Sequence, residues 1–503
     1  MKKNEANKNN LRIVILGGGT AGWMTAAALA KKYSALPVSI VLIESEELGT
    51  VGVGESTIPH IRHFNQFLGI NETDFIRATN ATFKLGIQFR NWGELGGEYI
   101  HPFGAVGSDI NGVEFQHFWA KAYRAGNKAP FDDYSVAAVA MKNNRFCYPA
   151  SDGTDWQGRY NYAFHFDAVL YASYLRKYAE NLSVVRIEGK VSRAECAPES
   201  GDLCALYLES GGVVDGDFFV DCTGFRALLI NGVLGAEYES WAHWLPCDRA
   251  LAMPSGKAGE LTPYTRATAH SAGWCWRIPL QHRIGNGCVY SSDFMQDEVA
   301  WEYLISQLDG PCLLEEPRRF SFVAGMRPEQ WKRNCVAIGL SGGFLEPLES
   351  TSIYLIQVGI KALLDLFSPH APSAVLAREF NTRVGTEYLR IRDFIIMHYA
   401  ETSRDDSEFW RYCKNMRLPD SLARRQKIFR HLGHVDHQQY GVYAAVCIGQ
   451  GVIPEQCDPR VASYPDDEVI AYLGDMRGEI VAFVDGMPSA ESFIRELLAR
   501  GAN

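Results

Sequence analysis

The chain has 503 residues, of which 47% are hydrophobic and 21% charged, and its formal net charge is −10. This composition is typical of a globular protein, and the acidic balance disfavours nucleic acid or an anionic membrane surface as the main partner. No run of residues approaches the roughly 20 apolar positions that a membrane span needs.

The first ten residues, MKKNEANKNN, are polar and lack the apolar centre of a secretory signal, so we expect a short disordered leader over 1–10. The 12 cysteines are scattered, and none forms a CxxC pair. This spacing disfavours both a zinc site and a disulfide framework. We therefore expect reduced thiols, no metal and a cytoplasmic location.

Hydrophobic patterns predict the secondary structure in chain order. The predicted elements are a strand at 11–16, a turn and a helix after it, a strand at 38–44, a helix at 165–182, alternating strands with a hairpin turn at 211–212, buried strands at 218–224 and 335–342, and a helix at 350–367. The remaining C-terminal third has a mostly helical pattern.

A dinucleotide motif opens the chain. The turn GGGTAG follows the first strand and satisfies GxGxxG, in which glycines allow a tight turn, a close approach of a pyrophosphate and close helix packing. The motif comprises Gly17, Gly18, Gly19, Thr20, Ala21 and Gly22. Glu44 ends the next strand, at the spacing of a carboxylate that binds ribose hydroxyls, which favours NAD or FAD over NADP.

Two later strands favour FAD over NAD. The stretch DCTG (221–224) resembles the second flavin-contacting strand of two-dinucleotide-type flavoproteins, and CVAIGLSG (335–342) is a third strand of this kind. Because these strands are far apart in the chain, we predict an α/β fold: an FAD-binding Rossmann-like domain with an interleaved mixed sheet. This domain covers 11–360 with substrate-side segments at about 84–165 and 240–330, and a mainly helical substrate-binding region covers 361–503.

Several motifs resemble the flavin-dependent tryptophan halogenases over about 11–460. They are GGGTAGWM at the start, TVGVGESTIP (50–59) as a strap over the flavin, FKLGIQFRNW (83–92), the WxWxIP stretch around Trp274 and Trp276, and FLEPLESTSIY (344–354). The resemblance implies a halogenase that uses FADH2, O2 and a halide, chloride or bromide. The cofactor contacts that it implies, besides the glycine motif and Glu44, are Glu55, Ser56, Asp221, Gly224, Leu340 and Ile353.

The resemblance also assigns the catalytic residues. Hypohalous acid formed beside the flavin would meet Lys84, either as a hydrogen-bonded species on the ammonium or as a haloamine. Glu349 would stabilise the positive charge on the ring or accept its proton, whereas Glu346 is interpreted as structural. The halide would bind backbone N–H groups of Thr351 and Ser352, where the family has LESTGIY and this chain has LESTSIY, so the halide preference stays open.

His101 and Phe103 match family residues that line the aromatic slot. The segment before GQGVIP (449–454) contains no Trp, and no Tyr-rich lid is recognisable. We therefore expect a more open pocket that takes indole or a substituted indole or phenol rather than free tryptophan, with a peptide or carrier-bound aromatic as an alternative. No second nucleotide motif is evident, so reduced flavin would come by diffusion from a separate flavin reductase.

Two other classes are weighed against the halogenase. A one-component aromatic hydroxylase usually carries a GDAAH-type stretch at the third flavin strand, where this chain has IGLSGGFLEP without Asp. A non-catalytic flavin-binding protein is disfavoured because both Lys84 and Glu349 are retained. The oligomeric state stays open, with a dimer as one alternative.

Overall fold

The structure is a computed structural model that describes residues 11–48, 55–150, 156–368, 373–434 and 442–500. The expected leader and the first part of the strap, residues 50–54, lie outside these described residues. No helix in the described ranges is long and apolar enough to cross a membrane.

The strands of the described chain fall into five sheets. In chain order they are β1 (Leu11–Leu16), β2 (Val38–Glu44), β3 (Glu55–Ser56), β4 (Thr82–Lys84), β5 (Gly86–Arg90), β6 (Glu98–Pro102), β7 (Ala163–Phe166), β8 (Val185–Glu188), β9 (Val191–Cys196), β10 (Leu203–Leu208), β11 (Val213–Asp215), β12 (Phe218–Asp221), β13 (Glu239–Ser240), β14 (Arg249–Ser255), β15 (Thr265–His270), β16 (Gly273–Pro279), β17 (Ile284–Tyr290), β18 (Arg318–Ser321), β19 (Gly325–Met326), β20 (Trp331–Lys332), β21 (Cys335–Ala337) and β22 (Gly343–Phe344).

The helices alternate with strands in the first two thirds and dominate the last third. They are α1 (Thr20–Tyr33), α2 (His60–Leu68), α3 (Glu72–Thr79), α4 (Phe115–Arg124), α5 (Val136–Lys142), α6 (Ala168–Asn181), α7 (Asp297–Ser306), α8 (Ser352–Leu366), α9 (Ala374–Ala400), α10 (Glu408–Asn415), α11 (Asp420–Leu432), α12 (Val442–Gly449), α13 (Asp466–Asp485) and α14 (Ala490–Arg500).

A six-stranded sheet in the order β20-β21-β12-β1-β2-β8 carries the cofactor domain. The strand β1 pairs in parallel with β2 and β12, and β12 pairs in parallel with β21. The buried apolar runs that predicted these strands are explained by helices covering the sheet, since parallel strands are buried on both faces. The predicted α/β architecture is thereby confirmed, and the carboxyl ends of the three predicted strands lie along one edge.

The predicted hairpin at 211–212 is confirmed, because β10 and β11 pair antiparallel across it. The predicted helix over 165–182 begins too early. Residues 163–166 form the strand β7, which pairs with β3 and β4, and α6 begins at Ala168. Asp167 sets this boundary, because its carboxylate accepts hydrogen bonds from the N–H groups of Val169 and Leu170 as an N-cap.

A seven-stranded mixed sheet in the order β18-β14-β17-β16-β15-β5-β6 is built from strands that lie within the predicted substrate-side segments. Alternation along β16 turns Trp274 and Trp276 into the main core of the protein. Cys275 points to the opposite face, where it joins a smaller apolar cluster beneath α7. The two faces of one strand therefore serve different parts of the molecule.

The helix predicted over 350–367 begins two residues later, at Ser352. Ser350 has φ +59°, in the left-handed region, and this conformation cannot start a right-handed helix. The backbone therefore makes a sharp turn between Glu349 and α8, which points these neighbouring side chains in different directions.

Candidate active site

The glycine loop is shaped for a phosphate group. Gly17 has φ +113°, and a Cβ there would lie 2.3 Å from the carbonyl oxygen of Cys222. A Cβ on Gly22 would lie 1.8 Å from the oxygen of Gly17, so the helix packs closely on the turn. The N-terminus of α1 has no side-chain cap. Its first N–H groups and the positive end of its dipole are left for an anion.

Glu44 lies beside this loop at the end of β2. Its carboxylate accepts a hydrogen bond from Trp23 Nε1 at 3.2 Å and pairs with Arg186 Nε at 2.5 Å. A Cβ on Gly18 would lie 1.5 Å from Glu44 Oε2, so the carboxylate rests directly on the glycine turn. This is the place that ribose hydroxyls next to a bound pyrophosphate would occupy.

The other two strand ends come close to the same loop. Asp221 is fully buried, and its carboxylate accepts from the backbone N–H groups of Thr223, Leu229 and Ile230 and from the Thr223 hydroxyl. It therefore shapes the turn that contains Gly224, whose φ is +68°. Its side-chain oxygens are already engaged by the chain itself, so Asp221 would serve a flavin by holding this loop.

The third strand end reaches α1 directly. A Cβ on Gly339 would lie 2.9 Å from the Cβ of Ala21, so the turn after β21 abuts the glycine loop. Leu340 is half-buried in this turn, and Ile353 is buried in the first turn of α8. The proposed FAD residues of all three strands therefore border one region of the fold.

Lys84 ends β4 with its side chain fully buried. Its Nζ donates to Ser350 Oγ at 2.8 Å and lies 4.9 Å from the centre of the Phe103 ring. Burial lowers the pKa of Lys84 to about 7, against an opposing effect of the Glu349 charge. The lysine does not snorkel to water, and near neutral pH it is poised between ammonium and amine.

A chain of hydrogen bonds continues from Lys84 toward the strap. Ser350 donates to Ser56 Oγ at 3.0 Å, and Ser56 lies 2.6 Å from Thr265 Oγ1. The hydroxyl of Thr265 in turn lies 3.0 Å from His165 Nε2, and burial holds the pKa of His165 well below its ordinary value. Ser56 is thus linked to Lys84 through a single side chain. Glu55 precedes Ser56 in the chain, and burial together with the charge of Asp167 raises the pKa of Glu55 to about 7.

Glu349 is buried between two histidines. Its Oε2 lies 2.7 Å from His101 Nδ1, and its Oε1 lies 2.8 Å from His398 Nε2. Burial alone would raise the pKa of Glu349, but the charges of His101 and His398 and the hydrogen bond with His101 outweigh it and lower the pKa to about 2. Glu349 is therefore a carboxylate across the physiological range, and it does not cap α8.

His398 was missed by the sequence reasoning. It lies near the end of α9, a helix of 27 residues, and its Nδ1 donates to the carbonyl of Phe394 at 2.8 Å. No local motif marks it, because its contact with Glu349 is made across the fold rather than along the chain. Only the path of α9 over the substrate side brings it to the carboxylate.

Glu346 occupies a separate buried pocket. Its Oε2 accepts from Trp274 Nε1 at 2.8 Å and from the Tyr399 hydroxyl at 2.5 Å. Burial raises the pKa of Glu346 to about 7 despite these two hydrogen bonds. The residue fastens Trp274 to α9.

Thr351 and Ser352 form the start of α8 next to Glu349. Thr351 is the N-cap residue, and Ser352 is the first helical residue. The buried hydroxyl of Thr351 has no hydrogen-bond partner among the described residues. An orphaned donor beside unpaired helix N–H groups is a chemically suitable environment for a halide.

Phe103 lies against Lys84, and His101 lies against Glu349. Both are buried, and their ring centres are 6.1 Å apart at nearly a right angle. Phe394 lies on the other side of His101, with 5.8 Å between ring centres. The aromatic walls, one lysine and one carboxylate therefore meet in one place, as an aromatic substrate and an electrophile would require.

The family model described as tryptophan halogenase matches residues 12–466. The chain belongs to the tryptophan halogenase family. SttH, a tryptophan 6-halogenase from Streptomyces toxytricini, is 34% identical over 96% of this chain and 97% of its own length.

Two solved structures are also similar. BrvH, a flavin-dependent halogenase from Brevundimonas sp. BAL3, has a TM-score of 0.93 at 42% identity and covers 97% of this chain and 99% of its own. Xcc4156, a flavin-dependent halogenase from Xanthomonas campestris, has a TM-score of 0.94 at 43% identity with coverage of 97% and 99%.

Membership makes this halogenase a flavin-dependent enzyme that uses FADH2 and a halide, within a family that needs a flavin reductase and an aromatic substrate. The glycine cradle and the uncapped start of α1 fit FAD, whose reduced form would activate O2, the oxidant that halide oxidation needs. The expected class of enzyme is confirmed.

Proposed function

We propose that this halogenase chlorinates or brominates an indole ring in the pocket formed by Lys84, Glu349, His101 and Phe103. The observation that carries the proposal is the hydrogen bond between Lys84 and Ser350, because it brings the lysine to the residue that follows Glu349. A buried lysine and a buried carboxylate next to aromatic walls suit electrophilic substitution of an electron-rich ring.

Lys84 holds the hypohalous acid in this proposal. Its ammonium donates a hydrogen bond to the oxygen of the acid, which draws electron density from the halogen and makes it more electrophilic. Burial excludes water that would otherwise compete for the same N–H groups. Phe103, against which the ammonium lies, closes one side of this position.

Glu349 acts on the ring in the following step. Its negative charge stabilises the cation that forms when the halogen adds, and its oxygen then accepts the ring proton. An arenium cation is a far stronger acid than a carboxylic acid, so a carboxylate with a pKa of about 2 is basic enough. His101 and His398 orient the carboxylate and keep it ionised.

We propose indole or a substituted indole as the preferred substrate, with no requirement for the amino-acid group. The absence of Trp in the segment before GQGVIP supports this proposal. The name of SttH specifies tryptophan, whereas the titles of BrvH and Xcc4156 specify only a flavin-dependent halogenase. The ratio of kcat/KM for indole to that for L-tryptophan separates the two substrates, and we expect it to exceed about 10, or 1.4 kcal/mol.

The decisive assay combines the purified protein with FAD, excess flavin reductase, NADH, O2 and chloride or bromide, and reads products by mass spectrometry. Lys84→Ala should abolish halogenated product while FAD still binds, and Lys361→Ala, which changes an exposed lysine, should leave product formation unchanged. Normal halogenation by Lys84→Ala would refute the role of the lysine. Products that gain oxygen instead of halogen would refute halogenation, and a preference for tryptophan would refute the indole proposal.

A further inference from the structure

Three reactive side chains gather on the face of the seven-stranded sheet that is turned away from Trp274. They are His270, Cys275 and Cys288, all of them buried, and their Nε2 or Nδ1 and Sγ atoms lie within 4.8 Å of one another. The cluster lies beneath α7 in an apolar setting that includes Leu304. The halogenation site uses none of these three residues.

The strand register places the two cysteines face to face. Cys275 of β16 is the direct partner of Cys288 in β17. Opposed residues of an antiparallel pair alternate between hydrogen-bonded and non-hydrogen-bonded pairs. Two backbone hydrogen bonds, from Leu280 N to Arg283 O and from Ser291 N to Ala272 O, show which pairs are hydrogen-bonded here. The cysteines therefore form a non-hydrogen-bonded pair. In such pairs the Cα atoms are about 4.5 Å apart, and this spacing falls within the range that a disulfide spans.

The Nε2 atom of His270 faces both one of the sulfurs and a backbone carbonyl. Its Nδ1 accepts the N–H of Ala272 at 3.2 Å, so the neutral ring carries its hydrogen on Nε2. This Nε2 lies 3.2 Å from both Cys288 Sγ and the carbonyl oxygen of Val289, and the carbonyl can only accept. A metal ion would need a lone pair on the same nitrogen, so the arrangement favours thiolate chemistry over metal binding.

The two sulfurs are in different electrostatic environments. A hydrogen bond from Cys275 and the neighbouring His270 lower the pKa of the Cys288 thiol, although burial opposes them. Burial raises the pKa of Cys275 well above its usual value. A thiolate beside a protonated thiol is the arrangement that reacts with a two-electron oxidant and is then resolved by its neighbour.

We propose that Cys275 and Cys288 form a redox-active dithiol that hydrogen peroxide converts into a disulfide. The Cys288 thiolate attacks one oxygen of the peroxide, so that an S–O bond forms, the O–O bond breaks and hydroxide leaves. The Cys275 sulfur then attacks the sulfenic acid, so that the S–S bond forms and the S–O bond breaks. The departing hydroxide and the proton of Cys275 become water. In total, two thiols are oxidised and one peroxide is reduced to two waters.

Reduced flavin that reacts with O2 is the source of this peroxide, and the inference rests on the proposed function only for that source. Access is narrow, because the cavity bordered by Cys275, Leu304 and Gln307 has a volume of about 10 Å³, close to one water molecule. Peroxide entry therefore requires a local opening of α7. Cys312, which is exposed, reports the reactivity of an unprotected thiol in the same protein.

The test treats the full-length protein with hydrogen peroxide, blocks the remaining thiols with iodoacetamide in denaturant and maps unreduced peptides by mass spectrometry. We expect a peptide that links Cys275 to Cys288, lost in Cys275→Ser and Cys288→Ser and retained in the control Cys413→Ser. In Cys275→Ser, dimedone should label Cys288 as the sulfenic acid. His270→Gln should slow formation of the link about tenfold.

Two results would overturn the inference, and a third would refute its source of peroxide. One is the absence of the linked peptide when Cys312 is already oxidised, and the second is a stoichiometric metal ion in the purified protein that Cys275→Ser loses. The third concerns the source: a link that forms with added peroxide but not during flavin turnover, or one that catalase does not prevent, would refute the flavin as the source. The link needs no halide, so failure to halogenate an indole would refute only the proposed function.

Discussion

Lys84 and Ser350, which are 266 positions apart in the chain, are joined by a hydrogen bond of 2.8 Å in a fully buried setting. Ser350 is held in a left-handed conformation between Glu349 and α8. Its hydroxyl therefore points toward the lysine and Ser56, while the preceding carboxylate points toward the two histidines. This turn therefore determines which partners the Ser350 hydroxyl and the Glu349 carboxylate contact.

Ser350→Gly removes the hydroxyl without straining the backbone, because glycine tolerates the φ of +59°. Loss of the acceptor for the Lys84 ammonium should lower kcat about tenfold, the equivalent of one charge-assisted hydrogen bond of about 1.5 kcal/mol. Ser350→Ala should lose the same activity and be about 1 kcal/mol less stable than Ser350→Gly, because alanine, like serine, carries a Cβ that disfavours the left-handed conformation. Steady-state kinetics and urea denaturation of both variants check this; an unchanged kcat in Ser350→Gly would contradict it.

Glu349→Gln keeps the shape of the side chain but removes its charge. We expect kcat to fall about 100-fold or more, because the ring cation loses its counter-charge and the ring proton loses its acceptor. The dissociation constant of FAD should change little. Glu47→Gln, an exposed acid with 77% of its side chain accessible, is the control and should retain full activity. A kcat within twofold of the wild type would show that Glu349 is dispensable.

The pH profile should follow Lys84. Because the proposed reactive form is the ammonium and its pKa is about 7, kcat/KM should fall about tenfold per pH unit above that pKa. Glu349, with a pKa of about 2, should add no acidic limb above about pH 5. Rates measured from pH 6 to 9 with saturating reductase check this, since the reductase then does not limit turnover. A flat profile would exclude the ammonium as the active form.

Lys84 should also make stability depend on pH. Its pKa is about 7 in the folded protein and 10.5 in the reference state, so between these values the unfolded chain binds more protons. The free energy of unfolding should therefore rise with pH across this window and fall as pH drops to 7. Between pH 7 and 9 the wild type should gain about 2 kcal/mol relative to Lys84→Met. Guanidinium unfolding at both pH values measures this difference, and an equal response of the two proteins would contradict it.

Gly17→Ala should weaken FAD binding at least 100-fold, because the added Cβ would meet the Cys222 carbonyl and alanine disfavours φ +113°. The matched control is Gly474→Ala in α13, where a Cβ meets nothing within 4 Å. That control should keep FAD affinity and gain up to about 1 kcal/mol of stability. Flavin fluorescence titration measures affinity, and wild-type binding by Gly17→Ala would refute a pyrophosphate site at this turn.

Much of the cofactor domain could be predicted from local patterns. The apolar run at 11–16, the glycines after it and the carboxylate at 44 lie within one β-turn-α-β unit, so their spacing alone specifies a mutual arrangement. Errors of prediction arose at boundaries. The helix predicted over 165–182 includes the last two residues of β7, His165 and Phe166, because a strand that runs directly into a helix leaves no break in the apolar pattern, and only pairing with β3 and β4 marks the boundary.

By itself, the sequence determined the fold class, the flavin motif and the presence of Lys84 and Glu349, because these are encoded in short segments whose residues act on their immediate neighbours. The tertiary structure alone decided that His398 lies beside Glu349, that Ser350 joins Lys84 to the strap and that Cys275 opposes Cys288. Such contacts arise when helices and sheets pack, and burial then sets the charge state of each group. No periodicity along a chain records which distant side chains a shared interior will bring within 3 Å.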